Sequence, residues 1–103
     1  MHMLLVNGAL TGLKVIDASR VLGGPICGQI LGDHDAEIVK IESPFGDDTR
    51  NWGPPYLGEV SAYFSGANRN KRVRVLDFNK SEDFEVFKSL LFEADVLIEN
   101  FLP

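Results

Sequence analysis

Cysteine, positive charge and long apolar runs are all scarce in this sequence, and each scarcity excludes a class of protein. The single thiol, Cys27, cannot form an internal disulfide, which is typical of a reducing compartment, so we expect a cytoplasmic protein. A membrane-spanning helix needs about 20 consecutive apolar residues, and no run in the sequence approaches that length. Residues 1–6 are apolar but lack a basic leader and a small-residue cleavage site, which argues against a secretory signal.

The chain carries 10 Lys and Arg residues against 15 Asp and Glu residues, for a formal net charge of −5. This balance argues against a nucleic-acid partner, because phosphate backbones are bound by basic surfaces. One short basic run stands out, formed by Arg69, Lys71, Arg72 and Arg74. Two interpretations stay open: the run binds a small phosphorylated ligand, or it is a solvated strand edge where Lys and Arg oppose aggregation.

At 103 residues, the chain is one domain or part of one. The order of its elements predicts an α/β fold with a Rossmann-like, open parallel sheet, because strands and helices alternate. The predicted strands cover residues 13–17, 36–42, 72–78 and 94–98, and the predicted helices cover residues 26–31 and a segment from Ser81 onward. About four strands would leave one edge unpaired and at least one face poorly covered, so the segment is a candidate for dimerisation or for being an incomplete sheet.

The side-chain pattern predicts which faces of the two helices are buried. In the first helix, Ile26 with Ile30 and Cys27 with Leu31 form an apolar stripe at i,i+4 spacing, which favours core packing of Cys27 over a nucleophilic role. In the second helix, Ser81 is the expected N-terminal cap, followed by a stripe of Phe84, Phe87, Leu90 and Leu91.

The loop of residues 18–25 is the prime candidate for a ligand site, because it joins a strand end to a helix N-terminus. It is not the glycine fingerprint of dinucleotide enzymes, so Glu42, despite its position after the second strand, does not indicate an NAD dehydrogenase. Asp17 is either catalytic or paired with a nearby base such as Arg20. The sequence contains no Ser/His/Asp set, P-loop or zinc site, and we expect no metal.

Two features of the loop-rich residues 43–66 allow both a functional and a structural interpretation. Asp47 and Asp48 are adjacent acids that could bind a cation, which is weak evidence by itself. Four aromatic residues could sandwich a base or pack against a partner surface: Trp52, Tyr56, Tyr63 and Phe64.

Taken together, the sequence resembles the N-terminal part of the class III coenzyme A transferases, the family of formyl-CoA transferase, carnitine-CoA transferase and α-methylacyl-CoA racemase. The resemblance lies in an ordered set of short motifs from about residue 10 onward. The matching stretches are residues 12–17, Gly24-Pro25 with Cys27 and Gln29, residues 36–42, 46–50, 63–64, 68–72, 76–77 and 94–101. Asp35 stands where the family usually has glycine, so a left-handed backbone is expected there.

The resemblance implies that residues 1–103 are the N-terminal CoA-binding part of a larger Rossmann-like domain. The partners it implies are CoA or acyl-CoA as substrate, and a second subunit or a completing polypeptide, with no nucleic acid or membrane. The implied CoA contacts follow the four strands: Val21, Leu22, Gly23, Ser43, Leu76, Asp77, Phe78, Asn79, Asn100 and Phe101.

The family's catalytic aspartate, which forms a mixed anhydride with the acyl group, lies downstream of the matched stretch. No residue of this sequence inherits its role, so we expect no CoA transfer between carboxylic acids by this chain alone. One alternative is a truncated, non-catalytic relative that acts as a dimerising or nucleotide-binding module. Another is an unrelated flavodoxin-like binding domain.

Overall fold

The structure, a computed structural model, describes residues 8–102. It contains six strands, three α-helices and one 3-10 helix within that range. In chain order the elements are β1 (Lys14–Asp17), α1 (Gly23–Asp33), β2 (Glu37–Glu42), the 3-10 helix (Asp48–Asn51), β3 (Tyr56–Leu57), β4 (Val60–Ser61), α2 (Ala62–Ala67), β5 (Lys71–Val75), α3 (Ser81–Glu93) and β6 (Val96–Ile98).

Four of the strands form one parallel sheet in the order β5-β2-β1-β6. Val15 pairs with Ile38 of β2 on one side and with Val96 of β6 on the other. All three strand pairs are parallel, so the carboxyl ends of the four strands meet at one edge of the sheet. The predicted α/β fold with an open parallel sheet is confirmed.

The two long helices cover opposite faces of the sheet, and the alternation of side chains along β1 separates two cores. On the α3 face, Ile16, Ile41 and Phe87 are buried together with Ala18 and Leu76. On the other face, the second buried cluster consists of Val15, Ala36 and Ile38, with Leu31 of α1 packed against it.

The predicted buried stripe of α1 is wrong at Cys27 and Ile30, although Leu31 does pack against the second cluster. Cys27 is exposed and Ile30 is 52% exposed, whereas the buried residues of the helix are Pro25, Gly28, Gln29 and Gly32. A Cβ on Gly28 would lie 2.8 Å from Oδ2 of Asp17, and one on Gly32 would lie 3.1 Å from Cγ1 of Ile38. The helix therefore presents glycines to the sheet, because only glycine permits the close approach.

The N-terminus of α3 also differs from the sequence-based expectation. The capping position is Lys80, with no side-chain cap, and Ser81 is the first helical residue. Phe87 is buried and Phe84 is 38% exposed, so the predicted stripe is confirmed at its centre and not at its start.

The long connection between β2 and β5, predicted as loop-rich, contains short ordered elements. It forms the 3-10 helix, the antiparallel pair β3–β4 and helix α2, whose N-terminus is capped by the Ser61 hydroxyl. Trp52 and Tyr63 contact each other edge to face, with ring centroids 5.2 Å apart. Within residues 8–102 there is no helix long and apolar enough to cross a membrane.

Candidate functional site

A cavity of about 640 Å³ opens at the carboxyl edge of the sheet. This volume lies within the range of about 300–1,000 Å³ that is usual for small-molecule sites. The segments that follow all four parallel strands contribute to its wall. The lining residues are Ala18, Arg20, Ile41, Ser43, Pro44, Phe45, Leu76, Asp77, Phe78, Asn79, Asn100, Phe101 and Leu102.

A buried polar network holds the loop of residues 18–22, between β1 and α1. Asp17 ends β1, and its carboxylate accepts hydrogen bonds from the backbone N–H and the hydroxyl of Ser19. The Lys40 ammonium donates to the Ser19 carbonyl at 3.1 Å and lies 3.1 Å from the Asp47 carboxylate. Neither Lys40 nor Asp47 has any exposed side-chain surface. A buried charge is tolerated when it is paired and hydrogen-bonded, as both are here.

The same Asp47 carboxylate supports a strained residue of the loop. Val21 has φ of +73°, a conformation that is rare for a β-branched residue. Its backbone N–H donates to Oδ2 of Asp47 at 3.2 Å. Asp47 also accepts from the N–H and the hydroxyl of Thr49. The carboxylate therefore holds the loop in a backbone conformation that Val21 would not adopt by preference.

Burial raises the pKa of Asp47, but the hydrogen bonds from Thr49 and Lys40 outweigh this effect and hold the pKa below its ordinary value. The carboxylate is thus charged at neutral pH. A cation site at Asp47 and Asp48 is not required, because Lys40 already supplies the positive charge. Among residues 8–102 no group of three or more His, Cys, Asp or Glu side chains is arranged to hold a metal ion.

Glu42, at the end of β2, is held by an arginine. Arg50 forms a bidentate pair with it, at 2.8 and 2.7 Å. The guanidinium also lies over the ring of Phe64, 3.9 Å from the centroid. Hydrogen bonding to Glu42 raises the pKa of Arg50. Glu42 therefore fixes the segment after β2, and its carboxylate is not free to contact a ribose.

Asp17 is paired with Lys71. The sequence had suggested Arg20 as a possible partner, and the structure does not pair the two. The Lys71 ammonium donates to Asp17 at 2.7 Å and to the Pro25 carbonyl and the Asn68 side chain, each at 2.8 Å. Burial lowers the pKa of Lys71, and the bond to Asp17 opposes that shift. All three ammonium protons have acceptors, so the pair joins β1, α1 and β5 and does not mark a catalytic acid.

The basic run of residues 69–74 does not act as one patch. Lys71 is buried in the pair with Asp17, and Arg69 is paired with Asp33 at 2.8 Å on the surface. Hydrogen bonding to Arg69 lowers the pKa of Asp33. Arg72 and Arg74 are exposed on the outer strand β5, as expected for a solvated strand edge.

Asn100, after β6, contacts the β1–α1 loop directly. Its side-chain oxygen accepts the Arg20 N–H at 3.1 Å, and its side-chain nitrogen donates to the Arg20 carbonyl at 2.8 Å. Both backbone groups of Arg20 are thereby satisfied by one amide. The contact fixes Arg20 at the cavity wall.

The structure brings seven of the ten predicted site residues to this one cavity. They are Ser43, Leu76, Asp77, Phe78, Asn79, Asn100 and Phe101. Val21, Leu22 and Gly23 lie in the adjoining loop and first helical turn, outside the lining of the cavity. Sequence reasoning placed Arg20 in the candidate loop of residues 18–25 but considered it only as a partner for Asp17, and so missed it as a lining residue. Its position three residues after the end of the first strand was a usable signal.

The left-handed backbone expected at Asp35 is present, with φ of +73°. Its carboxylate accepts the Gly8 N–H at 2.5 Å, which gives the aspartate a local role that glycine would lack.

Residues 10–103 match the family model described as CoA-transferase family III. The chain belongs to this family. It is 47% identical over 106 residues to an acyl-CoA transferase of Fusarium pseudograminearum, covering 94% of this chain and 23% of the relative. It is 42% identical over 95 residues to the human succinyl-CoA:glutarate CoA-transferase, covering 91% of this chain and 22% of the relative.

A solved structure has the same fold. The crystal structure of a CAIB/BAIF family protein from Brucella suis aligns with a TM-score of 0.90 and 50% identity, covering 93% of this chain and 26% of that one. The chain thus corresponds to the N-terminal segment of class III CoA-transferases and spans about a quarter of the length of these relatives.

Proposed function

We propose that residues 1–103 form the CoA-contacting part of an acyl-CoA transferase, with CoA or an acyl-CoA bound in the cavity at the carboxyl edge of the sheet. The observation that carries the proposal is the convergence of Ser43, Leu76–Asn79, Asn100 and Phe101 on one cavity. These residues are far apart in the sequence, and family membership gives a reason for CoA to be the ligand.

The cavity has the chemistry that a nucleotide thioester requires. Phe45, Phe78 and Phe101 supply aromatic surface, and Phe45 is 94% exposed at the rim. Asn79 supplies an amide group for polar contacts. An adenine ring stacks on aromatic side chains, while a pantetheine arm offers amides for hydrogen bonding.

The reaction proposed for the whole protein is transfer of CoA between carboxylic acids, through a carboxylate nucleophile outside these residues. In that scheme this chain binds and orients the carrier, and the buried network under residues 18–22 fixes the loop beside it. We therefore propose that the 103-residue chain alone binds CoA and does not turn it over.

We also propose that the chain associates with a second subunit or a completing polypeptide. Val73 and Val75, on the outer strand β5, are 44% and 58% exposed, and Leu97 on the opposite outer strand is 43% exposed. Apolar side chains exposed on the faces of outer strands favour burial against another chain. A cytoplasmic location agrees with the single, exposed Cys27.

Isothermal titration of the 103-residue chain with CoA tests the binding proposal. We expect saturable binding with one site per chain. No heat at millimolar CoA, from a protein with a folded circular dichroism spectrum, would contradict it. Turnover of an acyl-CoA and a carboxylic acid by the same preparation would contradict the proposal that the nucleophile lies elsewhere.

A further inference from the structure

The cavity wall contains an unusual distribution of charge for a site that binds a polyanion. Among the lining residues that the structure describes, Arg20 is the only one with a positively charged side chain. Asp77, on the same wall, is negative. CoA carries a diphosphate and a 3′-phosphate, so an uncompensated site would bind it weakly.

Among the described basic residues near the strand ends, Arg20 is the one that lines the cavity, whereas the exposed Arg74 and Lys80 lie outside the lining. Lys40, Arg50 and Lys71 are each paired with a carboxylate of the network beneath the loop. The side chain of Arg20 is in no ion pair within residues 8–102, and the residue is exposed. An arginine offers five donors in a planar fork that matches a phosphate.

The backbone of Arg20 is held in place before any ligand arrives. Asn100 bonds both its N–H and its carbonyl. On either side of Arg20, the Ser19 carbonyl is held by Lys40 and the Val21 N–H by Asp47. Three consecutive residues are thus anchored to β2, to the segment after it and to the segment after β6. A fixed backbone reduces the entropy lost when the side chain binds.

We propose that Arg20 is the phosphate-binding residue of this cavity, and that Asn100 is a positioning residue that acts through Arg20. This inference rests on the proposed function and adds to it the group that recognises the charge of CoA. Both the oxygen and the nitrogen of the Asn100 side chain are bonded to the backbone of Arg20, so its main effect on the ligand is through Arg20.

Titration of the wild-type chain and of Arg20→Gln with CoA tests the first part. We expect Arg20→Gln to weaken CoA binding by about tenfold, the loss typical of one charged hydrogen-bonding partner, and to flatten the dependence of affinity on salt concentration. Arg20→Lys should restore part of the affinity. Arg72→Gln is the matched control, since it removes an exposed arginine outside the cavity lining and should leave affinity unchanged.

Two truncated ligands identify the phosphate concerned. If Arg20 binds the 3′-phosphate, the penalty of Arg20→Gln disappears with dephospho-CoA; if it binds the diphosphate, the penalty persists with dephospho-CoA. An equal penalty with pantetheine, which has no nucleotide phosphates, would overturn the assignment, as would an unchanged CoA affinity and salt dependence in Arg20→Gln. Absence of CoA binding by the wild type would instead overturn the proposed function, and this inference with it.

A double-mutant cycle tests the second part. Asn100→Ala should weaken CoA binding in the wild-type background and have little further effect in Arg20→Gln. If Asn100 acts only by positioning Arg20, its loss has no consequence once the guanidinium is absent. Additive losses would show that Asn100 contacts CoA independently, which would overturn its assignment as a positioning residue.

Discussion

Asp17 and Lys71 are joined across an intervening strand: their charged groups lie 2.7 Å apart, and neither side chain has any exposed surface. Asp17 ends β1 and Lys71 begins β5, while β2 lies between the two strands. The pair passes under α1, where Gly28 leaves room for it. One ion pair thus links three elements on the face of the sheet that α1 covers.

Removing one partner of this pair should be strongly destabilising. Lys71→Met leaves the Asp17 carboxylate buried and unpaired, a change that costs about 3–5 kcal/mol in comparable sites. Urea unfolding followed by circular dichroism measures the free energy of unfolding. Asp17→Asn combined with Lys71→Met should recover part of the loss, because no isolated charge is left. Lys88→Met is the control: it breaks the exposed pair with Glu85 and should cost less than about 1 kcal/mol.

The low pKa of Asp47 predicts how stability depends on pH. Because its folded-state pKa lies below the ordinary 3.8, the unfolded chain binds the proton more readily. The resulting stabilisation is fully present above about pH 5 and is lost as pH falls through the folded pKa. We expect Asp47→Asn to be less stable than the wild type at pH 7, with a gap that narrows below pH 4.

Urea denaturation at several pH values between 7 and 3 measures that gap. Asp48→Asn is the control for removal of a neighbouring carboxylate, since Asp48 is exposed and its substitution should change stability at pH 7 by less than about 0.5 kcal/mol. A difference between wild type and Asp47→Asn that stays constant down to pH 3 would contradict the prediction.

A methyl group on the buried face of α1 should be destabilising although alanine favours helices. In Gly28→Ala the new Cβ would lie 2.8 Å from Oδ2 of Asp17 and 3.3 Å from Nζ of Lys71. We expect a loss of about 1–3 kcal/mol from overpacking, measured by urea unfolding.

The matched control is Gly66→Ala. Gly66 lies in α2, and a Cβ there meets nothing within 4 Å. This variant should be neutral or more stable by up to about 1 kcal/mol, because alanine is the better helix former. Equal effects of the two substitutions would mean that α1 can move away from the sheet at no cost.

The fold could be predicted from the sequence because it depends on local alternation, whereas the burial of particular side chains could not. The stripe of Ile26 and Ile30 met the usual criterion for a buried helix face. That criterion selects the most hydrophobic face of a helix. In α1 the face that contacts the sheet is instead the one with Gly28 and Gly32, because the close packing there leaves no room for larger side chains. Glycines four residues apart in α1 were the available signal.

Contacts between residues far apart in the sequence could not be predicted either. The sequence indicated that Lys71 belongs to a basic surface run, and only the structure places it beside Asp17, 54 residues earlier. The positions of Leu76 and Asn100 near the cavity were predictable because parallel strands end at one edge. Their contacts with a ligand stay predictions, as do those of Val21, Leu22 and Gly23.

The aromatic lining of the cavity gives a direct test of where CoA binds. Phe101 is 54% exposed and lines the cavity, whereas Phe92 is 92% exposed near the end of α3 and does not. Phe101→Ala should weaken CoA binding by about five- to tenfold, since stacking on a base contributes on the order of 1 kcal/mol or more. Phe92→Ala removes the same side chain elsewhere and should leave the affinity unchanged. Titration calorimetry with CoA measures both, and unfolding curves check that both variants stay folded. If Phe92→Ala weakens binding and Phe101→Ala does not, the ligand binds away from the carboxyl edge of the sheet.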